Sequence, residues 1–318
     1  METARKVCSE EPDSYLGVLV YGNINVDVTL FVESLPEPGS ETEAHALRVG
    51  GGGSAANTAV ALARLGIPAA MLGCVGNDEE GRAALKSLVK EGVDVSLVRK
   101  VSAPTGRVFV VVDARGERTM IALRGANTML SPEDLSSTFL ERVTWVHVSG
   151  GRLDVGRKLL EMACEACIPS SYDPGSAAYR APVEAVRPLI ERAGVLLVNE
   201  TEYGALKRRS IEPSGIVVVK RGAKGSAILL DGEIIEVEAF RVRAVDTTGA
   251  GDAFNAGFLA GMLYGFELKE CLILANAVAA IKVTREGARA SPSIMETAVF
   301  LGNAGYRTLA EKLLSIGT

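Results

Sequence analysis

Asp246-Thr247-Thr248-Gly249-Ala250-Gly251-Asp252-Ala253-Phe254 is a turn of small residues with a carboxylate inside it, and a long apolar helical pattern starts directly after. Glycine and alanine let backbone N–H groups come close to an anion, because no bulky side chain intervenes. If such a turn opens a helix, the unpaired N–H groups of its first turn and the positive end of its dipole face the same anion. Asp252 would stand beside that anion, where a base is useful and a structural carboxylate would be repelled. This is the layout of a phosphoryl-transfer site.

Outward from this stretch, short apolar runs alternate with helical patterns. Residues 16–21, 69–74, 144–148, 195–198 and 216–220 are rich in Val, Leu and Ile, and helical patterns cover 55–65, 79–90, 155–167 and 183–192. This alternation predicts an α/β fold with a doubly wound, mainly parallel sheet flanked by helices. Residues 26–32, 41–49, 107–113 and 118–123 instead alternate polar and apolar positions, as half-exposed strands do. They predict a small separate β lid built from about 26–49 and 105–124. An exposed sheet of this kind calls for cover, so a homodimer through the lid is expected. The last third, 249–264, 268–284 and 295–314, is helical, and Gly257 and Gly261 fall on one face where another element can pack closely. The chain is expected to form one domain over 1–318, with a polar tail at 1–14.

The 47% hydrophobic and 23% charged composition fits a globular protein with a large core. A net charge of −5 without a basic block, and only 5% aromatic residues, point away from nucleic acid as a partner. No signal peptide or membrane span is read, because residues 16–21 are too short for the first and Lys282 interrupts the longest apolar run. Five cysteines, among them an isolated Cys164/Cys167 pair, imply reduced thiols in a cytoplasmic protein.

Two more clusters carry chemistry. Gly22-Asn23-Ile24-Asn25-Val26-Asp27 ends the first strand, where open α/β sheets bind ligands. Asn25 and Asp27 point the same way in an extended segment and suit sugar hydroxyls, although a plain polar turn has the same composition. Gly50-Gly51-Gly52-Gly53-Ser54-Ala55-Ala56-Asn57 reads as a hinge, a ligand-hugging loop or both. It is neither a Walker loop nor a dinucleotide fingerprint. His45 reads as a lid side chain, His147 as a hydrogen-bonded core residue or, near the expected sugar pocket, a substrate ligand, and Trp145 as core. Arg107 and Arg124 flank the second lid hairpin, on solvated surface or facing an acidic substrate.

In this order, the three clusters resemble the ribokinase-like (pfkB) family of carbohydrate kinases. Gly22-x-x-Asn25-x-Asp27, Leu35-Pro36-x-Pro38-Gly39 and Gly52-Gly53-x-x-Ala56-Asn57-x-Ala59 through Leu65-Gly66 are similar to its first signature. Residues 246–254 are similar to its second, and Asn199-Glu200-Thr201-Glu202 to its Asn-x-x-Glu motif. The resemblance implies an ATP- and Mg²⁺-dependent kinase for a primary hydroxyl of a small sugar. It implies Asp252 as the base, Gly249, Ala250 and Gly251 as the anion hole, and Asn25, Asp27, Gly52, Gly53 and Asn57 as sugar ligands. Asn199 and Glu202 would position Mg²⁺ and phosphates through water. Lys220, Gly222, Gly225 and Asn276 would line the nucleotide site, Lys220 being a cation for phosphate or a solvated strand end. Asp246, Thr248, Gly287 and Ser291 sit where members with a potassium site hold the ion. Ribokinases usually carry Lys where this chain has Ser54, which weakens ribose as the acceptor. The alternatives are a nucleoside kinase, with Phe109 as the residue stacked on the base, and a non-catalytic sugar-binding protein.

Overall fold

The structure is a computed structural model that describes residues 17–316, so the expected tail at 1–14 lies outside the described residues. The chain opens with β1 (Gly17–Gly22), enters a separate sheet through β2 (Asn25–Val32) and β3 (Ala44–Gly52), and returns by α1 (Ser54–Arg64) to β4 (Ala69–Gly76), α2 (Glu79–Lys90) and β5 (Val98–Val101). β6 (Gly106–Val112) and β7 (Arg118–Leu123) complete the small sheet. Next come β8 (Val143–Ser149), α3 (Leu153–Glu165), β9 (Ser170–Asp173), α4 (Ala177–Arg180), α5 (Val183–Arg192), β10 (Val195–Asn199) and α6 (Glu200–Arg208). β11 (Ile216–Lys220), β12 (Ser226–Leu230) and β13 (Glu233–Val237) precede four helices, α7 (Ala250–Leu263), α8 (Leu268–Val283), α9 (Ile294–Asn303) and α10 (Arg307–Ile316).

The large sheet has the order β13-β12-β11-β10-β9-β8-β1-β4-β5. It is parallel from β11 to β5, and β12 and β13 add antiparallel at one edge. Val18 and Val20 of β1 face one core, with α1, α7 and α8, while Leu19 and Tyr21 face a second, with α3 and α5. Burial on both faces explains why β1 reads as an unbroken apolar run. The strand order reverses between β1 and β8, so their carboxyl ends, at Asn23 and Gly150, flank the crevice where such sheets take ligands.

The small separate sheet expected as a lid has the order β3-β2-β6-β7. Three of the four glycines read as a hinge, a ligand-hugging loop or both extend β3, with Gly50, Gly51 and Gly52 opposite Asp27, Val26 and Asn25. In this register Asp27, Thr29, Val110 and Val112 share one face. Val28, Phe109, Ile121, Leu47 and Val49 share the other, because directly paired residues project together. Leu47, Val49, Ile121 and Leu123 of that second face are exposed.

α7 and α8 pack backbone to backbone, as the glycine spacing implies. A Cβ at Gly257 would stand 2.8 Å from Ala275 Cα, and one at Gly261 would stand 3.0 Å from Cys271 Cα. The helix expected over 295–314 is two helices, because the chain turns at Gly305 with φ 93°, a left-handed value that breaks helical progression. Among the described residues, no helix is long and apolar enough to cross a membrane. Cys74, Cys164, Cys167 and Cys271 are all free thiols.

Candidate active site

Gly249 caps α7 with φ 77°, a left-handed conformation that glycine adopts without strain. A Cβ there would lie 2.3 Å from the Ala288 carbonyl oxygen, so no larger residue fits. Asp252 falls in the first turn of the helix. The N–H groups of Gly249 and Gly251 have no backbone acceptor among the described residues, whereas that of Ala250 folds back onto the Thr247 carbonyl at 3.2 Å. The expected anion hole therefore rests on the two glycines more than on Ala250.

Asn57 Nδ2 donates to Asp252 Oδ2 at 2.8 Å. Burial pushes the Asp252 carboxyl up to about 6, with the negative charge of Asp173 adding to the rise and the Asn57 hydrogen bond opposing it. A carboxylate poised there is still ionised at neutral pH yet basic enough to accept a proton.

Asn57 is delivered by the first turn of α1, whose cap Gly53 has φ 92°. A Cβ on Gly53 would meet the Asn23 carbonyl oxygen at 2.2 Å. The other end of the Asn57 amide accepts from Arg289 Nε at 3.2 Å, and Arg289 Nη2 donates to Gly52 O at 2.9 Å. Burial pushes Arg289 down to about 10 and Asp27 up to about 6, and each charge eases the other's shift. Asp27 Oδ1 and Arg289 Nη1 are both buried without a hydrogen-bond partner. One unmet acceptor beside one unmet donor suits a hydroxyl, which gives one bond and takes others. Asn25 Oδ1 is held by Asn127 Nδ2 at 2.8 Å. The structure thus joins Asn57 directly to Asp252, ties Gly52 to Asn57 through Arg289, sets Asn25 opposite Gly52 and Asp27 against it, and caps the helix of Asn57 with Gly53. Sequence reasoning missed Arg289, which lies just past the last helix-rich motif with no signature of its own.

Behind α7 lies a buried polar network. Lys220 Nζ donates to Asp173 Oδ2 at 2.7 Å and to Asn255 Oδ1 at 3.1 Å, and Asn255 Nδ2 donates to Asp173 at 2.6 Å. Burial works against the ammonium, but Asp173 and Glu202 hold its pKa above the ordinary value. Lys220 is therefore not a solvated strand end. It is an ion-paired cation whose Nζ would lie 3.6 Å from a Cβ on Gly251. Asp173, on a strand too polar to be read as one, also escaped sequence reasoning. His147 is fully buried with Nδ1 2.8 Å from Ser171 Oγ, and burial pulls it down to about 4, the core role expected. Trp145 Nε1 donates to the same Ser171 hydroxyl at 2.9 Å.

Asn199 and Glu202 form a capping box on α6. Asn199 Oδ1 accepts from Glu202 N at 2.8 Å, and Glu202 Oε2 accepts from Asn199 N at 2.9 Å. Burial, and then Asp173, raise the Glu202 carboxyl. No group of three or more potential metal-ligating His, Cys, Asp or Glu side chains stands together among the described residues.

On the other side of the loop a cleft of about 330 Å³ is lined by Lys220, Gly222, Gly225, Phe254, Gly251 and Asn276. It unites the expected nucleotide residues at the start of α7. Asn276 Nδ2 is held by the Glu238 carbonyl at 3.3 Å.

Asp246, Thr248 and Gly287 also converge, but they do not fit a potassium ion. Lys282, 0% exposed, donates its ammonium to the Asp246 carbonyl oxygen at 2.7 Å. Asp246 Oδ1 accepts from Thr248 N at 2.9 Å, Thr248 Oγ1 at 2.7 Å and Arg118 Nη2 at 3.3 Å. Its Oδ2 accepts from Gly287 N at 3.0 Å, and Arg48 Nη1 lies 3.8 Å away. The Ser291 carbonyl is taken by Arg64 at 2.6 Å. A second cation on the Asp246 carbonyl would stand against a buried ammonium, a repulsion of about 4 kcal/mol at 4 Å and an effective dielectric of 20. The expected potassium site is corrected to one filled by the chain's own cations.

Arg48 and Arg118 belong to the lid, so the same contacts bridge it to the loop before α7 across a cleft of about 390 Å³. Phe109, the expected stacking residue of a nucleoside pocket, stands on the lid face opposite Asp27 and does not reach this cleft.

Comparison with known proteins agrees with this fold. The family model described as pfkB family carbohydrate kinase matches residues 16–295. An ATP-dependent ribose-1-phosphate kinase of Halopiger xanaduensis is 37% identical over 89% of this chain and 97% of its own length. The crystal structure of a Thermotoga maritima ribokinase superposes with a TM-score of 0.79 at 30% identity, covering 91% of this chain and all of that one (100%). An Arabidopsis thaliana ribokinase solved with ribose and ATP gives 0.78 at 27% identity, over 91% and 99%.

Proposed function

The chain belongs to the pfkB family of carbohydrate kinases and is an ATP-dependent kinase, and from that premise we propose that it phosphorylates the primary hydroxyl of a pentose or a close derivative. One observation carries this proposal. Asp252 is a half-buried carboxylate whose desolvation pushes it up to about 6, hydrogen-bonded to Asn57, and set one residue after the open amide of Gly251.

Asp252 takes the proton of the acceptor hydroxyl as that oxygen attacks the γ-phosphorus, and ADP leaves. Gly249 and Gly251 N–H groups hold the phosphoryl oxygens. Such transfers demand alignment and charge stabilisation more than covalent chemistry. Asp27 and Arg289, each with a buried unmet polar atom, bind a ring hydroxyl. ATP lies in the cleft lined by Gly222, Gly225 and Asn276. Mg²⁺ would take its ligands mainly from phosphates and water, with Glu202 acting through water, and would neutralise phosphate charge. The lid closes over the acceptor and excludes water, held by Arg48 and Arg118. Its exposed outer face, with Leu47, Val49, Ile121 and Leu123, fits a second copy of the chain.

A coupled ADP-release screen over pentoses, pentose phosphates, hexoses, keto-deoxy acids and nucleosides tests the activity. Acceptor-dependent ADP release is expected with a pentose-type acceptor. Release with none of these compounds would sink the proposal in favour of a sugar-binding protein.

A further inference from the structure

A second crevice of about 330 Å³ opens at the carboxyl ends of β1 and β8. Three arginines, Arg124, Arg152 and Arg180, line it, and no carboxylate does. Arg152 is matched by Asp154 at 2.5 Å. Arg124 and Arg180 have no ion-pair partner among the described residues, and Arg180 only leans over the ring of neighbouring Tyr179 at 5.8 Å. By contrast, Arg48 and Arg118 on the other side of the lid are bound to Glu286 at 2.8 Å and Asp246 at 3.3 Å. Of these five arginines, the two without an ion pair therefore both line this crevice.

The crevice is continuous with the acceptor site. Asn127 lines it while donating to Asn25 Oδ1 at 2.8 Å. Asn23 lines it as well, its Oδ1 taken by Gly151 N at 3.0 Å and its carbonyl pressed against Gly53. Tyr172, 1% exposed, lines it with a hydroxyl that has no hydrogen-bond partner. Unpaired guanidinium forks, a free amide and an unmet hydroxyl make a donor set for a tetrahedral dianion.

We propose that the acceptor is a sugar already carrying a phosphate at the end remote from the reacting hydroxyl, an aldopentose 1-phosphate, and that Arg124, Arg152 and Arg180 hold that phosphate. The assignment rests on the kinase activity proposed above. In a furanose the anomeric carbon lies across the ring oxygen from the ring carbon that bears the hydroxymethyl group. With that hydroxyl at Asp252 and the ring between Asp27 and Asn57, the anomeric substituent reaches toward Asn23 and the arginines. The primary hydroxyl gives its proton to Asp252 and bonds to the γ-phosphorus while the bond from that phosphorus to the β-phosphate oxygen breaks. The products are ADP and a pentose 1,5-bisphosphate.

Ribose 1-phosphate and ribose are the probes, with titration calorimetry for binding and ADP release for turnover. The wild type should bind and turn over ribose 1-phosphate at least about tenfold better than ribose, since a phosphate bears close to two charges at neutral pH. Arg124→Gln with Arg180→Gln should weaken ribose 1-phosphate binding and raise its KM at least about tenfold, leaving ribose binding and ATP KM unmoved. Arg48→Gln should not reproduce that selective loss. Equal binding of the two sugars, or a double variant that binds ribose 1-phosphate normally, would overturn the crevice as a phosphate site. Tight binding without ADP release would support the crevice and defeat the kinase activity instead, so the two failures separate.

Discussion

Asn57 Nδ2 donates to Asp252 Oδ2 at 2.8 Å, so the residue that orients the proposed base comes from a helix 195 residues away in sequence. This bond favours the ionised carboxylate and opposes the upward push of burial. Asn57→Leu should lower kcat about tenfold and move the acid limb of the rate profile to higher pH. An acid limb that stays in place would show that Asn57 does not tune the base.

Asp252→Asn removes the proton acceptor but keeps the shape. We expect kcat to fall at least about 10²-fold with ATP affinity nearly unchanged, read by steady-state kinetics and nucleotide titration. Near-normal turnover would remove Asp252 from the base role.

Two carboxylates, Asp252 and Asp27, are pushed up to about 6 chiefly by burial. kcat/KM should therefore fall as pH drops through about 6, more steeply than for one group. Between about pH 4, the ordinary carboxylate value, and pH 6 the folded state keeps protons that the unfolded chain has lost, so this pair makes stability fall as pH rises through the window. Asp252→Asn and Asp27→Asn should each flatten that fall in denaturant titrations at pH 4.5 and 7. Unchanged pH dependence in both variants would contradict the assigned shifts.

Lys282 supplies a buried ammonium to the Asp246 carbonyl. Turnover should change less than about twofold between potassium, sodium and a large organic cation, because the position is already charged. Lys282→Met keeps the stem and removes the charge, and it should make both turnover and melting temperature responsive to added potassium. Strong potassium activation of the unaltered protein would show that the ion binds after all.

Leu47, Val49, Ile121 and Leu123 leave the outer lid face apolar and exposed. Ile121→Lys should convert a dimer into a monomer by sedimentation analysis, since a buried interface does not tolerate an unpaired charge. A monomeric wild type would refute association through the lid.

Much of this was legible in the sequence where a local rule and the tertiary demand agree. Gly249 and Gly53 announce tight helix starts, and Gly257 with Gly261 announces close helix packing, because only glycine fits those contacts. The strands buried on both faces show as apolar runs. What escaped detection depends on long-range partners. β9 reads Ser-Ser-Tyr-Asp, because its polar side chains serve the buried network of His147, Lys220 and Asn255. β5 and β13 are short edge strands with charges that resemble loop sequence. Arg289 and Lys282 carry no motif, and only the fold reveals what a lone basic residue touches. The Asn-x-x-Glu motif illustrates the converse, since a functional signature is also a sound helix cap.

Asp246 serves two parts of the molecule. Through Thr248 and Gly287 it shapes the turn before α7, and through Arg118 and Arg48 it fastens the β lid. Parting those ion pairs would leave Asp246 to hold the turn that presents the glycine amides without its two arginine partners. If ATP rests in the enzyme in that unlatched form, its proposed cradle has less support when bulk solvent has access. On the proposed function, wasteful hydrolysis between turnovers would be limited by the same carboxylate that fastens the small sheet, and added salt, by weakening the latch, should raise that leak.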